Sequence, residues 1–195
     1  MFFIMIGACV PLIMRCHNLA ERVSIIIYTL CTLTMFGVST LYHRKNWNKK
    51  HRLFWKKLDH SAIFLMIAGT FTPIAFLSLS PSSSTKLLIM SWGVALAGIV
   101  QSIFFVNLPK LVHSIIYLTA GYLVLPYFSE IKLSVGQSNI WLIIAGGIAF
   151  SLGAICYGIK RPILNPQVFG YHEVFHLLVN CGAILHFIVI NSLIK

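Results

Sequence analysis

Acidic side chains are almost missing from this chain. Glu21, Asp59, Glu130 and Glu173 are the whole set in 195 residues, against 15 Lys and Arg. Charged residues of both signs make up only 10%, where a soluble domain carries about 25%. So few charges cannot cover a water-facing surface, which excludes an ordinary soluble domain. Paired cysteine motifs are missing too. Cys9, Cys16, Cys31, Cys156 and Cys181 form no CxxC, their number is odd, and most lie in apolar stretches. That excludes a disulfide framework and leaves small buried or lipid-facing residues. Met1 to Met14 lack the basic region and the small-residue cleavage site of a secretory signal, so a first, short helix is expected there. No segment between the apolar stretches is long enough for a second domain, and no internal repeat is present.

What the chain has in abundance is apolar sequence, with 58% hydrophobic residues and a mean hydropathy of +0.86. Seven apolar segments can be drawn, at 1–14, 23–42, 58–79, 87–106, 111–128, 139–159 and 171–193. Most approach the roughly 20 residues a helix needs to cross the hydrocarbon core, and the first falls short. The reading is all-α: a multi-pass transmembrane bundle of seven helices forming one domain over 1–195. Pro81 and the serines after it are expected to make one turn, Asn107 to Pro109 a second, and Gly136 to Asn139 a third. Residues 160–170, with Pro162 and Pro166, separate the last two spans. Gly37, Ser39, Gly69, Thr70, Gly93, Gly98, Gly146, Gly147 and Gly153 fall inside spans, where small residues let helices pack closely.

The formal charge of +11 invites a nucleic-acid reading, but its distribution argues against one. Arg44, Lys45, Lys49, Lys50, Arg52, Lys56 and Lys57 sit together between two apolar spans. Such a block holds a loop on the cytoplasmic side and attracts anionic headgroups. The expected partners are therefore membrane lipids, with no nucleic acid. With loop 44–57 inside, alternation puts Lys110 and the Lys160–Arg161 loop inside as well. The turns near Ser80 and Ser129 fall outside, and so does the carboxyl terminus of this plasma-membrane protein.

Charged or chelating side chains within spans are costly unless paired or wetted, so they are the informative ones. In this topology His43, Asp59, His172 and His176 all fall at the inner ends of spans, the second, third and seventh. His172 and His176 stand at i and i+4 on one helix face, where two imidazoles can share one metal ion. His43 can supply a third nitrogen from another helix. Three histidines with an open fourth position describe a catalytic zinc arrangement. Asp59 can take a proton from the attacking water, and Ser39, one turn from His43, can orient water, ligand or substrate oxygen. For any single histidine, a hydrogen bond to a carbonyl or a lipid phosphate is the competing explanation.

Residues 172–176 also match HExxH, whose glutamate is the general base of metalloproteases. Glu173 is thus an alternative base, or a rim residue paired with a cation. His60 points about 100° away from Asp59 around the helix, as a supporting donor or a rim histidine. His113 is a weaker ligand candidate, His186 lies deeper in the last span, and His17 and His51 read as loop residues. Asn165, Asn180 and Gln101 are candidates for packing or for lining a polar cavity. Pro73 frees a carbonyl and bends the third span, opening a cavity or simply packing against Gly69.

Four segments then carry a resemblance: Ser39-x3-His43, Phe54-Trp-Lys-Lys-Leu-Asp59-His60, Gly69-Thr-Phe-Thr-Pro73 and Gly170-Tyr-His172-Glu-Val-Phe-His176. Together they resemble the haemolysin III-type proteins, bacterial relatives of the adiponectin and progestin receptors in the PAQR group. The resemblance runs from about the second span to the end of the chain. It implies a seven-helix bundle with an internal amino terminus and zinc held near the cytoplasmic side by His43, His172 and His176. It places Asp59 beside the attacking water and implies a role for Ser39. It further implies lipid amidase chemistry of the kind the receptor relatives direct at ceramide. The chain departs from the family at its apolar opening, Met1-Phe-Phe-Ile, where bacterial members carry a longer amino terminus with a polar His-Gly segment; a misassigned start and a shortened gene are the two alternatives.

The leading functional expectation is a zinc-dependent membrane hydrolase of a lipid amide or ester. The alternatives are a haemolysin or receptor-like membrane protein with a structural zinc clamp and, more weakly, an intramembrane metalloprotease.

Overall fold

The computed structural model describes residues 1–164 and 169–194; Asn165 and Pro166 lie outside the described residues. Most of the described residues are helical, in seven α-helices: α1 (Phe2–Met14), α2 (Leu19–Arg44), α3 (Lys49–Ser78), α4 (Pro81–Phe104), α5 (Lys110–Gly121), α6 (Phe128–Ile159) and α7 (Tyr171–Leu193), with a 3-10 segment at Tyr122–Tyr127. They form two compact units, Met1–Val106 and Asn107–Leu193.

Helix ends follow local chemistry. Asn18 caps α2 by accepting from the Glu21 N–H at 2.9 Å, and the Glu21 carboxylate reaches back to the His17 N–H at 2.8 Å. The arrangement is akin to a capping box, with the carboxylate reaching one residue before the cap. Asn48 caps α3 by accepting from the His51 N–H at 3.0 Å. The basic segment expected as a loop is therefore mostly helix, and His51 belongs to α3. With 30 residues, α3 is about 45 Å long, more than the roughly 30 Å core, so its basic first turns extend beyond the apolar span. Pro81 opens α4 at its first turn, where a proline's fixed φ suits a helix start. Helix α4 consequently begins six residues before the expected span at Leu87. At 13 residues, α1 is about 20 Å long and shorter than the core.

In the first unit α3 lies between α2 and α4. Its face from Ala68 to Ala75 is buried. Phe64 is fully buried and its ring sits on Gly98 of α4, while Cys31 of α2 sits on Gly69. Pro73 is buried within α3, one turn further along. The Trp92 indole N–H donates to Thr72 Oγ1 at 3.2 Å, which fixes α4 on α3.

In the second unit α6 contacts both α5 and α7. Residues Lys110–Ile159 form one apolar helical stretch of 50 residues, about 75 Å if straight and far too long for one crossing. It turns at Gly136, whose φ of +80° is non-helical and suits a residue without a Cβ. Gly158 lies against Ser114, and the Tyr122 hydroxyl bonds the Ser151 hydroxyl at 2.7 Å. Both pairs centre on Gly136, so the stretch folds back on itself. Among the described residues, continuous helices long and apolar enough to cross a membrane number five, with the short α1 as a sixth. Seven spans were expected; the continuous helices count six because the fifth and sixth segments are joined through helix, and the reversal at Gly136 still separates those two segments. Leu96, Leu133, Trp141 and Ile89 expose 60% or more of their surface, as lipid-facing residues do. The protein is a multi-pass helical membrane protein.

Candidate metal centre

Three of the four acids lie in the first turn of a helix: Glu21 in α2, Glu130 in α6 and Glu173 in α7. Negative charge is favoured there by the unpaired N–H groups and the helix macrodipole. Asp59 is the exception, standing in the body of α3, where no cap or dipole accounts for it.

The α2–α3 hairpin surrounds that carboxylate with two of the expected residues. The Ser39 hydroxyl is its side-chain hydrogen-bond partner, and Oδ2 lies 3.9 Å from His43 Nε2. The distance is too long for a direct hydrogen bond, and the contact is an ion pair only when His43 is protonated. The side chain of Asp59 is 16% exposed and that of His43 34%, so the carboxylate is the more enclosed of the two. Ser39 and His43 are one turn apart on α2 and Asp59 is supplied by α3, so this group exists only once the hairpin has closed.

In the second unit the helical repeat alone builds the other pair. His172 Nε2 and His176 Nε2 of α7 lie 3.1 Å apart, with both rings partly buried. Two zinc ligands at about 2.05 Å in tetrahedral array stand about 3.3 Å apart. The pair therefore fits a single zinc ion, and imidazole is a donor type that zinc favours. The His172 ring packs against Tyr157 and Phe175.

Glu173 faces elsewhere. It is exposed, and its Oε2 accepts the Gly170 N–H at 2.9 Å, so it closes the first turn of α7. The other histidines are dispersed. His60 is buried at 6% exposure, not at a rim. His113 is buried and stacks on Tyr117 within α5. His186 sits on Gly146 and meets the Ile143 carbonyl at 3.3 Å. Gln101 donates to the Phe105 carbonyl at the end of α4, a helix-end bond and not a cavity lining. Sequence reasoning missed Tyr157 and Tyr171, which frame His172. Tyrosines at helix ends are a usable signal, because aromatic rings gather at membrane interfaces.

Comparison with known proteins covers the same ground. The chain matches the family described as Haemolysin-III related over residues 1–187, so the likeness takes in the first helix as well as the second span onward. It is 31% identical over 185 residues to Hemolysin-3 of Bacillus cereus, covering 93% of this chain and 81% of that one. Identity to the Hemolysin-3 homolog of Bacillus subtilis (strain 168) is 32% over 176 residues, with 90% and 79% covered. The heptahelical transmembrane protein ADIPOR2 of Oryza sativa subsp. japonica is 23% identical over 186 residues, with 87% and 81% covered.

Proposed function

This chain belongs to the haemolysin-III related family of membrane proteins, and from that premise we propose that it is a zinc-dependent hydrolase of a lipid amide or ester. On this reading His43, His172 and His176 would hold the ion. Three imidazoles are an unsaturated set for a metal that takes four ligands, which suits catalysis better than a closed structural site. Bound zinc supplies Lewis acidity, polarising a carbonyl and lowering the pKa of water. Asp59 accepts the proton of the attacking water and returns it to the departing amine or alkoxide. Ser39 holds the Asp59 carboxylate in register with His43. Lipid reaches the group from the leaflet that faces the basic start of α3, the cytoplasmic leaflet by the rule that positive loops stay inside.

The observation that carries this reading is Asp59, the one acid not spent on a helix start, held by Ser39 and aimed at His43 Nε2. Purified protein is expected to contain zinc and His43→Ala much less; equal zinc in both would sink the three-histidine site. Asp59→Asn is expected to keep zinc while lipid turnover drops by about 10²–10⁴-fold, the usual worth of a general base. Unchanged turnover would remove Asp59 from the chemistry.

The names of the two bacillary relatives favour a second reading, in which zinc only clamps helices of a membrane-perturbing protein. Lysis of vesicles by Asp59→Asn as efficient as by the unaltered protein, with no turnover by either, would establish it.

A further inference from the structure

We propose that Lys110 is a positioning residue for the His172–His176 pair, clamping the start of α7 through a cage of two tyrosines; the role rests on the zinc reading above. A lysine at a helix end near a membrane ordinarily stretches its ammonium into water. Lys110, the first residue of α5, turns inward instead. Its Nζ donates to the Tyr171 hydroxyl at 2.6 Å and stands 4.5 Å from the Tyr171 ring centre and 4.6 Å from that of Tyr157. The π faces of the two rings and one phenol oxygen take the place of a carboxylate.

The geometry ties three helix ends with one side chain. Lys110 opens α5, Tyr157 stands in the last turn of α6, and Tyr171 opens α7. His172 follows Tyr171 directly in the chain. The Tyr157 ring is shared, lying 5.9 Å from the His172 ring and 5.1 Å from that of Phe175. Two further bonds at the start of α7 are local, Gly170 N–H to Glu173 and Val174 N–H to the Gly170 carbonyl. They shape the turn without fixing where it stands. The Lys110–Tyr171 bond spans 61 residues of chain and does fix it. Removing the cage therefore frees the first turn of α7 to shift, and a two-ligand grip on a metal tolerates little shift.

The test is zinc affinity of the full-length protein in detergent, by competition with a chromophoric chelator. Lys110→Met is expected to weaken binding about 10–100-fold, the usual effect of losing a group that orients a ligand. Lys110→Arg, which keeps a cation that stacks on rings, should restore most of it. Lys132→Met, at an exposed lysine of α6, should bind as the unaltered protein does. Cobalt(II) in place of zinc should show shifted visible bands in Lys110→Met and recovered bands in Lys110→Arg; a merely stabilising contact would lower the melting midpoint and leave the bands alone. If Lys110→Met fails to fold, Tyr171→Phe removes the phenol oxygen and keeps the ring, and weaker binding is again expected. Unchanged affinity and bands in the folded variant overturn the clamp while leaving the zinc site standing. Equal weakening in Lys132→Met would reduce the effect to general charge and overturn it too. No zinc in the unaltered protein would bring down both readings.

Discussion

The two halves of the candidate centre are built by different means. On α7, His172 and His176 meet because the α-helix puts residues i and i+4 on one face, and nothing outside the helix is needed to bring their nitrogens to 3.1 Å. On the α2–α3 hairpin, Asp59 comes within 3.9 Å of His43 only through tertiary packing, with Cys31 seated on Gly69 further along the same pair of helices. A locally built half needs orienting, which Lys110 and Tyr157 provide. A tertiary half needs a closed hairpin. The difference separates what one helix's repeat specifies from what the packing of two helices specifies.

The largest expected effect bears on whether the halves act as one. His43→Ala and His172→Ala should each weaken zinc binding by at least about 100-fold. In a double-mutant cycle they should be far from additive, with a coupling of about 1–3 kcal/mol, as for residues sharing one partner. Chelator competition on the two single variants and the double variant measures it. Additive losses would mean separate ions or none, and the comparison between half-sites would become one between unrelated sites.

The same contrast explains how much could be read from sequence. The i, i+4 pair was legible because helix geometry is constant. The apolar spans were legible because the hydrocarbon core sets a length. His43 and Asp59 were legible as costly residues at span ends, but their pairing was supplied by topology and family likeness, since no local rule brings α2 to α3 at that register. Helix starts were less legible. Lys49 to Lys57 read as a loop because they are basic and lie between two apolar spans, yet the Asn48 cap and the helix beyond carry those turns. The turn between the fifth and sixth segments was legible at Gly136, and only the helix on both sides of it was not, because its polar residues read as a loop. The Lys110 cage was invisible, since a lysine at a helix end reads as solvated until its ring partners are known.

A smaller effect sharpens the comparison through packing. Each unit seats rings on glycines, among them Phe64 on Gly98 in the first and His186 on Gly146 in the second. Phe64 is fully buried and enclosed between helices, whereas His186 is partly exposed and can yield. Gly98→Ala should therefore destabilise by about 1–3 kcal/mol, the usual cost of overpacking, and Gly146→Ala by less. Gly93 has open space at its Cβ position, so Gly93→Ala should be neutral or stabilising by up to about 1 kcal/mol through helix propensity. Denaturation midpoints in mixed detergent rank the three. A larger loss at Gly146 than at Gly98 would show that the second unit is the more rigid one, and that its metal pair depends on packing near His186.

The smallest expected effect is at Glu173, and it decides which half supplies the base. The HExxH spacing assigns that role to Glu173, whereas the structure turns its carboxylate back to the Gly170 N–H. Glutamine serves a capping box nearly as well as glutamate. Glu173→Gln should then leave zinc content and turnover close to unaltered, while Glu173→Ala should cost about 0.5–2 kcal/mol of stability, the range for a lost cap. A base behaves in the opposite way, since glutamine cannot take a proton. A drop of about 100-fold or more in turnover of Glu173→Gln, with zinc retained, would move the base onto α7. In that case the hairpin half would hold the ion with His43 alone, and Asp59 would need another reason to stand uncapped in the body of α3.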